Sequence, residues 1–299
     1  MRAKCQQWWL LAWRSLTLSV ITSIALLSGC AVSPRPISGG PAVVAMTYNI
    51  RCGSCESKAD VNHWDKRKYL VAEVIRKSGA DLIGLQEAEL FQVNDLVDAL
   101  PYYDWYGVGR EDGKVRGEMT AVLVRRSAFE ILERQTLWLS ETPQVVSKGW
   151  DAMLNRTLSM VKLRSKATGR TVHFLNTHFD HRGDKARQES ARLIMRTIQS
   201  EVGSDPVILT GDLNLRDNHP AYMQLATALQ DTRTTSKTPP SGGNITFNGF
   251  GRGLQNGNTI DFILVSPGQT VRAHAVITDL YAGLYASDHF PVVATIVID

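Results

Sequence analysis

With 299 residues and 43% apolar side chains, the chain is long enough to bury a full-sized core, and its length is ordinary for a two-sheet α/β protein. Its formal net charge is +4, but Arg2, Lys4 and Arg14 supply three of those charges from the extreme N-terminus, and the remainder carries 30 basic against 29 acidic residues. That balance excludes a polybasic surface for nucleic acid, which local contacts alone could hold.

In chain order, the first segment joins a basic start, Met1 to Arg14, to a short apolar run, Ser15 to Leu27, and ends in Leu27-Ser28-Gly29-Cys30. This is the layout of a secretory signal, too short and wrongly flanked for a permanent span. Leu-Ser-Gly-Cys resembles the lipobox of bacterial lipoproteins. The resemblance implies a signal peptide over 1–29 and a mature chain that begins at a lipidated Cys30. It also implies a tether to the periplasmic side of the cell envelope, with the outer membrane favoured because Ala31, and no aspartate, follows the cysteine. The Pro- and Gly-rich residues 30–41 read as linker. With Cys5 lost and Cys30 modified, Cys52 and Cys55 remain. An oxidising compartment favours a disulfide between them; a redox pair and free thiols are the alternatives.

From 42 to 299 no second linker, repeat or low-complexity tract interrupts the chain, which predicts one domain, expected to be a monomer. "AVVAMTYNI" predicts a strand with a polar end, and Trp64 to Lys77 has helical spacing and stops at Gly79. "ADLIGLQE" predicts a buried strand ending in acid, and Glu89 to Leu100 a helix stopped by Pro101. Four β-patterned stretches follow, "EMTAVLVRR", "FEILERQTLWL", "RTLSMVKLRS" and "RTVHFLNTHF". Asp184 to Ser200 predicts a helix with Ala191, Ile194 and Ile198 on one face. "PVILTGDLN", a helix around Ala221 to Leu229, and strands at "TIDFILVS", "VRAHAVIT" and "FPVVATIVI" complete the chain. Two groups of strands among helices predict two sheets packed face to face with helices outside.

Polar residues gather at the ends of these strands: Asn49, Glu87, Asn176 with His178, Asp212 with Asn214, Asp261, and Asp288 with His289. Single strand-end acids are usually caps or turn residues; so many at separate ends fit one shared rim. Glu87, with Asn49 and Asp288, offers hard oxygen ligands suited to Mg²⁺ or Mn²⁺. Two histidines with carboxylate partners can hold protons near neutral pH, Asn176 and Asn214 can donate to phosphate oxygens, and Asp212 can orient or deprotonate a water. These parts suit phosphoester hydrolysis.

"YNIR", "LQE", "NTHFDH", "GDLN", "IDFILV" and "SDHFPV", in that order, resemble the endonuclease/exonuclease/phosphatase superfamily of metal-dependent phosphohydrolases. The resemblance implies an α+β fold, a four-layer αββα sandwich of two packed mixed β-sheets flanked by helices. It assigns the metal to Glu87, Asn49 and Asp288, the water to Asp212, a phosphate oxygen to Asn214, and the scissile phosphate to a His289 fixed by Asp261. A further likeness to pancreatic-type deoxyribonucleases implies a Glu118–His178 pair and phosphate contacts from Arg51 and Arg156. "NTHFDHRGDKARQESARLI" looks more like a bacterial secreted branch, and leaves His181 open between phosphate contact and turn residue. Trp138 and Trp150 are expected to pack in or beside loops, and "NITFNGFGRG" to border the site. The expected substrate is a phosphodiester in nucleic acid or a nucleotide; the alternatives are a small phosphate ester or lipid headgroup, and a non-catalytic binding lipoprotein.

Overall fold

A computed structural model describes residues 41–254, 258–281 and 283–298. The expected signal, Cys30 and all but the last residue of the linker lie outside them. Among the described residues no helix is long and apolar enough to cross a membrane.

The chain runs β1 (Ala42–Asn49), α1 (Trp64–Ser78), β2 (Leu82–Gln86), α2 (Leu90–Ala99), β3 (Tyr103–Tyr106), β4 (Val122–Arg125), β5 (Phe129–Trp138), β6 (Thr157–Ser165) and β7 (Thr171–His178). It continues through α3 (Asp184–Thr197), β8 (Val207–Asp212), α4 (Pro220–Leu225), β9 (Gln230–Asp231), α5 (Thr232–Thr235), β10 (Asp261–Val265), β11 (Thr270–Val276) and β12 (Val292–Val297). The strands form two six-stranded sheets, β11-β12-β1-β2-β4-β3 and β5-β6-β7-β8-β10-β9. Each is antiparallel except for one central parallel pair, β1 with β2 and β7 with β8. Alternation along β1 explains the layering. Val43 and Ala45 face a core shared with Val161, Phe174 and Ile208 of the other sheet, while Met46 and Tyr48 face Val71 and Ile75 of α1. On the far side, Leu175 and Leu209 pack against Ile194 of α3 and Leu225 of α4. The result is two packed sheets with helices outside, as the pattern predicts, in the four-layer sandwich that the family resemblance implies.

Helix α1 stops at Gly79 in the left-handed region, where its N–H bonds the Arg76 carbonyl. Glu89 is the N-cap of α2 and forms a capping box with Gln92, so the helix begins one residue after the expected acid. Two helices differ from expectation. α3 widens into a π-turn over Ile198–Val202, and α4 ends at Leu225. The strand expected over "EMTAVLVRR" shortens to Val122–Arg125, because Glu118 turns to an ion pair with Arg110 and Met119 makes only an isolated bridge to Ala88.

Candidate active site

Topology explains why the polar strand ends meet. β1, β2, β7 and β8 run the same way in their parallel pairs and end in Asn49, Gln86, His178 and Asp212. β10 runs antiparallel to β8, so its first residue, Asp261, lies opposite Asp212, and β12 runs antiparallel to β1 just after Asp288 and His289. Arg51, Glu87 and Asn214, each just past a strand end, adopt positive φ of 60°, 60° and 50°. That is uncommon for residues with a Cβ, and three such turns on one rim mark strain held in place by surrounding contacts.

These residues line a cleft of about 570 Å³. One wall is acidic. Asn49 spans it, its Nδ2 donating to Glu87 Oε1 at 3.1 Å and to Asp212 Oδ2 at 2.9 Å. Glu87 Oε2 accepts the Cys52 amide at 3.1 Å, and Asp288 pairs with Arg51 Nη1 at 3.3 Å. Burial pushes Glu87 up, but the Asn49 hydrogen bond and the His289 charge outweigh it and hold the carboxyl below its usual range. Burial raises Asp288, and the Glu87 charge adds to that despite His289. The half-buried Glu87 and buried Asp288 carboxylates, in mutual repulsion and with an amide oxygen beside them, are hard donors that fit a divalent cation. Cys52 and Cys55 are bonded to each other and offer no thiolate.

Asp212, Asp261 and His289 also bring ligand-type atoms within 4.8 Å of one another. The chemistry of this trio is different. His289 Nδ1 donates to Asp261 Oδ2 at 2.9 Å, and its Nε2 lies 3.8 Å from Asp212 Oδ2. Burial alone would lower the ring's pKa, but the Asp261 charge and hydrogen bond, then Asp212, raise it to about 10. With the ring charged, the trio is a dyad facing a carboxylate, and the same three side chains are also a candidate metal site once that proton is displaced. Burial and then the Asp261 charge push Asp212 up to about 7. Phe247 sets its ring against that of His289 at 5.1 Å between centroids.

The opposite wall is cationic. Arg156 is buried, with Nε 3.4 Å from Asp180 Oδ2 and Nη2 3.1 Å from His181 Nδ1, while its Nη1 has no hydrogen-bond partner. His181 therefore sits against Arg156 on the cleft wall. His178 differs from expectation. Glu118 pairs with Arg110 at 2.6 Å, and no hydrogen bond joins it to His178 among the described residues. Instead the Asn214 amide donates to His178 Nε2 at 3.0 Å and to the Phe179 carbonyl at 3.0 Å. Burial, then the charges of Arg156 and Arg110, hold His178 well below the usual histidine range, so this ring is neutral and accepts. An arginine outcompetes a histidine for a buried acid because its charge is permanent.

Asn176 is a second correction. It is fully buried between the sheets, its Nδ2 donating to the Leu85 and Ala121 carbonyls at 2.8 and 3.0 Å and its Oδ1 accepting from Gln86 Nε2 at 2.6 Å. With its hydrogen-bonding capacity spent across the sheet interface, it is absent from the cleft lining and cannot donate to phosphate. Trp138 is buried, its indole donating to the Arg110 carbonyl at 2.8 Å. Trp150 is half-buried in a loop at φ 49°. Another cavity, about 940 Å³, lies at the other end of β8 beside Val207 and Ser266, beyond the reach of these side chains.

Sequence reasoning missed Arg67. Its guanidinium donates to the carbonyls of Ile50, Arg51 and Ala286 and pairs with Glu56 at 2.8 Å, locking two site-bearing loops. The signal was there: Arg67 precedes Val71 and Val74 at helical spacing, on the buried face of α1. Thr246 and Ser287 were also missed. Thr246 Oγ1 accepts the Asp261 amide at 3.2 Å, and Ser287 Oγ donates to the Asn49 carbonyl at 2.7 Å.

The model of the endonuclease/exonuclease/phosphatase family matches residues 46–289, and the chain belongs to that family of phosphoester hydrolases. It is similar to the crystal structure of an endonuclease/exonuclease/phosphatase from Bacteroides vulgatus, with 36% identity, TM-score 0.83, and 87% of this chain and 100% of that one covered. A mannosyl-6-phosphatase from Bacteroides thetaiotaomicron is 37% identical at TM-score 0.78, covering 85% and 99%. The Drosophila melanogaster protein Nocturnin is 24% identical over 170 residues, 53% of this chain and 25% of that protein. The chain thus spans about a quarter of the curated relatives that it matches.

Proposed function

We propose that this protein is a divalent-metal-dependent hydrolase of small phosphate esters. The observation that carries the reading is the cleft itself: an acidic wall of Glu87, Asp288 and Asp212 faces a buried Arg156 whose Nη1 lacks a partner. The Arg156 guanidinium would hold a phosphate oxygen on the cationic side, where the Asn214 amide, spent on His178 and the Phe179 carbonyl, would fix the His178 ring. Asp212, with a pKa of about 7, has the basicity to take a proton from an attacking water. His289, kept charged by Asp261, would stabilise negative charge on the phosphate or protonate the leaving oxygen. Glu87, Asp288 and the Asn49 side-chain oxygen would hold Mg²⁺ or Mn²⁺, which supplies charge neutralisation at the phosphate. The near-neutral charge and the likeness to a mannosyl-6-phosphatase support a small ester. The second reading, a nucleic-acid phosphodiester, is supported by the likeness to Nocturnin and to 3'-5'-exoribonuclease Ccr4 subunits.

The test is nitrophenolate release from p-nitrophenyl phosphate and strand shortening or nucleotide release from a short DNA and RNA panel, with and without chelation. Activity should vanish on chelation and return with Mg²⁺ or Mn²⁺. Full activity after exhaustive chelation would sink the metal assignment, and a steep loss of activity with salt would favour the nucleic-acid reading. The proposal includes an envelope tether: mass spectrometry of the native protein should find Cys30 lipidated and N-terminal, and Cys30→Ser should release the chain.

A further inference from the structure

The stretch Cys52-Gly53-Ser54-Cys55 has the C-x-x-C spacing that serves either a disulfide or two ligands of a tetrahedral zinc ion. Two sulfurs alone make a poor zinc site. The fold adds a third donor. Glu118 is pinned beside the end of β2, where its carbonyl accepts the Arg110 amide at 3.0 Å and the next amide, of Met119, donates to the Ala88 carbonyl at 2.7 Å. Ligand-type atoms of Cys52, Cys55 and Glu118 thereby lie within 4.8 Å of one another, and all three residues line the cleft.

The two sulfurs are bonded to each other, so this site is shut. Access to the bond is unequal: Cys55 is exposed and Cys52 is only 3% exposed, so a reductant meets the Cys55 sulfur first. The turn also has anchors other than the disulfide, because the Cys52, Gly53 and Ser54 amides donate to the Glu87, Gln92 and Glu89 side chains. Two Cα atoms 5.4 Å apart and so anchored keep the sulfurs within reach of one ion after the bond is cut. Glu118 gives Oε2 to Arg110 at 2.6 Å, and a carboxylate that holds an arginine through one oxygen can ligate through the other. Two thiolates and a carboxylate suit Zn²⁺ and not Mg²⁺, which takes oxygen ligands. Three protein ligands leave a fourth position for water or a phosphate oxygen.

We propose that Cys52, Cys55 and Glu118 form a redox-gated Zn²⁺ site, shut as the disulfide and open as the dithiol, whose occupation blocks hydrolysis. A dithiol reductant opens it. One of its thiolates attacks the Cys55 sulfur, the Cys52 sulfur leaves with the bonding pair and takes a proton, and the second thiol displaces Cys55 from the mixed disulfide. Two electrons and two protons pass to the pair, and the reductant leaves as a cyclic disulfide. Zn²⁺ then displaces the two thiol protons. The bound ion lies next to Glu87, whose Oε2 accepts the Cys52 amide at 3.1 Å, so its charge opposes a second cation there. The site stands on its three side chains; its effect on turnover rests on the hydrolase reading above.

The experiment compares the chain with its disulfide intact and the same chain reduced with dithiothreitol, then freed of reductant under nitrogen. Co²⁺ probes the site, since its bond to thiolate gives a charge-transfer band in the near ultraviolet that oxygen ligands do not give. With saturating Mg²⁺ present, the reduced chain should bind Co²⁺ with that band and the oxidised chain should show none. The Zn²⁺ concentration that halves turnover of p-nitrophenyl phosphate should be about 100-fold lower for the reduced chain, and reoxidation should restore it. Glu118→Gln should raise the Co²⁺ and Zn²⁺ concentrations needed by about 10-fold. Cys55→Ser should make Zn²⁺ inhibition indifferent to reductant, and guards against a folding failure in the first variant. Equal Zn²⁺ sensitivity in both redox states would overturn the gate, as would a reduced chain without the thiolate band or a Co²⁺ affinity that Glu118→Gln leaves unchanged. If neither form hydrolyses any ester, the hydrolase reading falls and the blocking role with it, while the Co²⁺ band still decides the site.

Discussion

At the scale of the residue, the site depends on how Glu87, Asp212 and Asp288 are shifted in different directions within one cleft, and on the pair that Asp261 makes with His289. Asp261 faces both Asp212 and His289, and its charged hydrogen bond of 2.9 Å to His289 fixes the ring's tautomer and orientation. His289→Ala should lower turnover by ~10² or more, and Asp261→Asn should approach the same loss, because an amide cannot hold the ring protonated. Steady-state kinetics on the best substrate check the rates. A ¹⁵N spectrum checks the cause, since His289 should be doubly protonated at neutral pH in the wild type and neutral in Asp261→Asn. The dyad was legible through the family resemblance, which pairs Asp261 with His289; strand-end position alone marked both residues without pairing them. The partner of His178 was not: Glu118 is equally near a strand, and only packing reveals that Arg110 takes it.

At the scale of the element, the short loop after β1 matters most. The amides of Cys52, Gly53 and Ser54 donate in turn to Glu87 Oε2, Gln92 Oε1 and Glu89 Oε2, at 3.1, 3.0 and 2.7 Å. The Cys52–Cys55 bond closes the loop over a sequence separation of 3. Cys55→Ser should cost ~2 kcal/mol on a chain-entropy estimate for so short a loop, read by urea denaturation. It should also raise the Mg²⁺ or Mn²⁺ concentration needed for half-maximal activity, since the Glu87 donor is loosened. Gly84 in β2 makes a different point. A Cβ there would meet Thr210 Oγ1 at 2.2 Å and Asn176 Oδ1 at 2.4 Å, both buried and hydrogen-bonded in the facing sheet. Gly84→Ala should destabilise the fold by about 1–3 kcal/mol or more, measured in the same way. Strands and helices were legible from periodicity. Asn176 was misread because a polar residue near a strand end looks the same whether it faces a cleft or the other sheet, and the sequence carries no record of that face.

At the scale of the whole molecule, stability should depend on pH through a buried histidine far from the cleft. His274 on β11 is shut away beside Thr232, whose hydroxyl donates to the Ile263 carbonyl at 3.0 Å and lies 2.9 Å from His274 Nδ1. Burial, aided by Arg233, lowers its pKa from 6.5 to about 4. The unfolded chain therefore takes up a proton, between those values, that the folded chain refuses. The contribution is complete above pH 6.5 and is lost as pH falls to about 4, a difference of about 3 kcal/mol. Urea titrations at pH 7 and pH 4.5 should show this fall in the wild type and a smaller one in His274→Asn; equal falls would remove His274 as the cause.

The seam between the sheets has one more consequence. Asn49, Glu87 and His289 come with one sheet, and His178, Asp212 and Asp261 with the other; the Asn49–Asp212 and His289–Asp261 hydrogen bonds join the two sets. Neither sheet alone presents half of a working centre. During refolding, recovered turnover should thus lag behind the return of secondary structure and keep pace with burial of the inner core, making the catalytic rate a clock for the moment the two halves close.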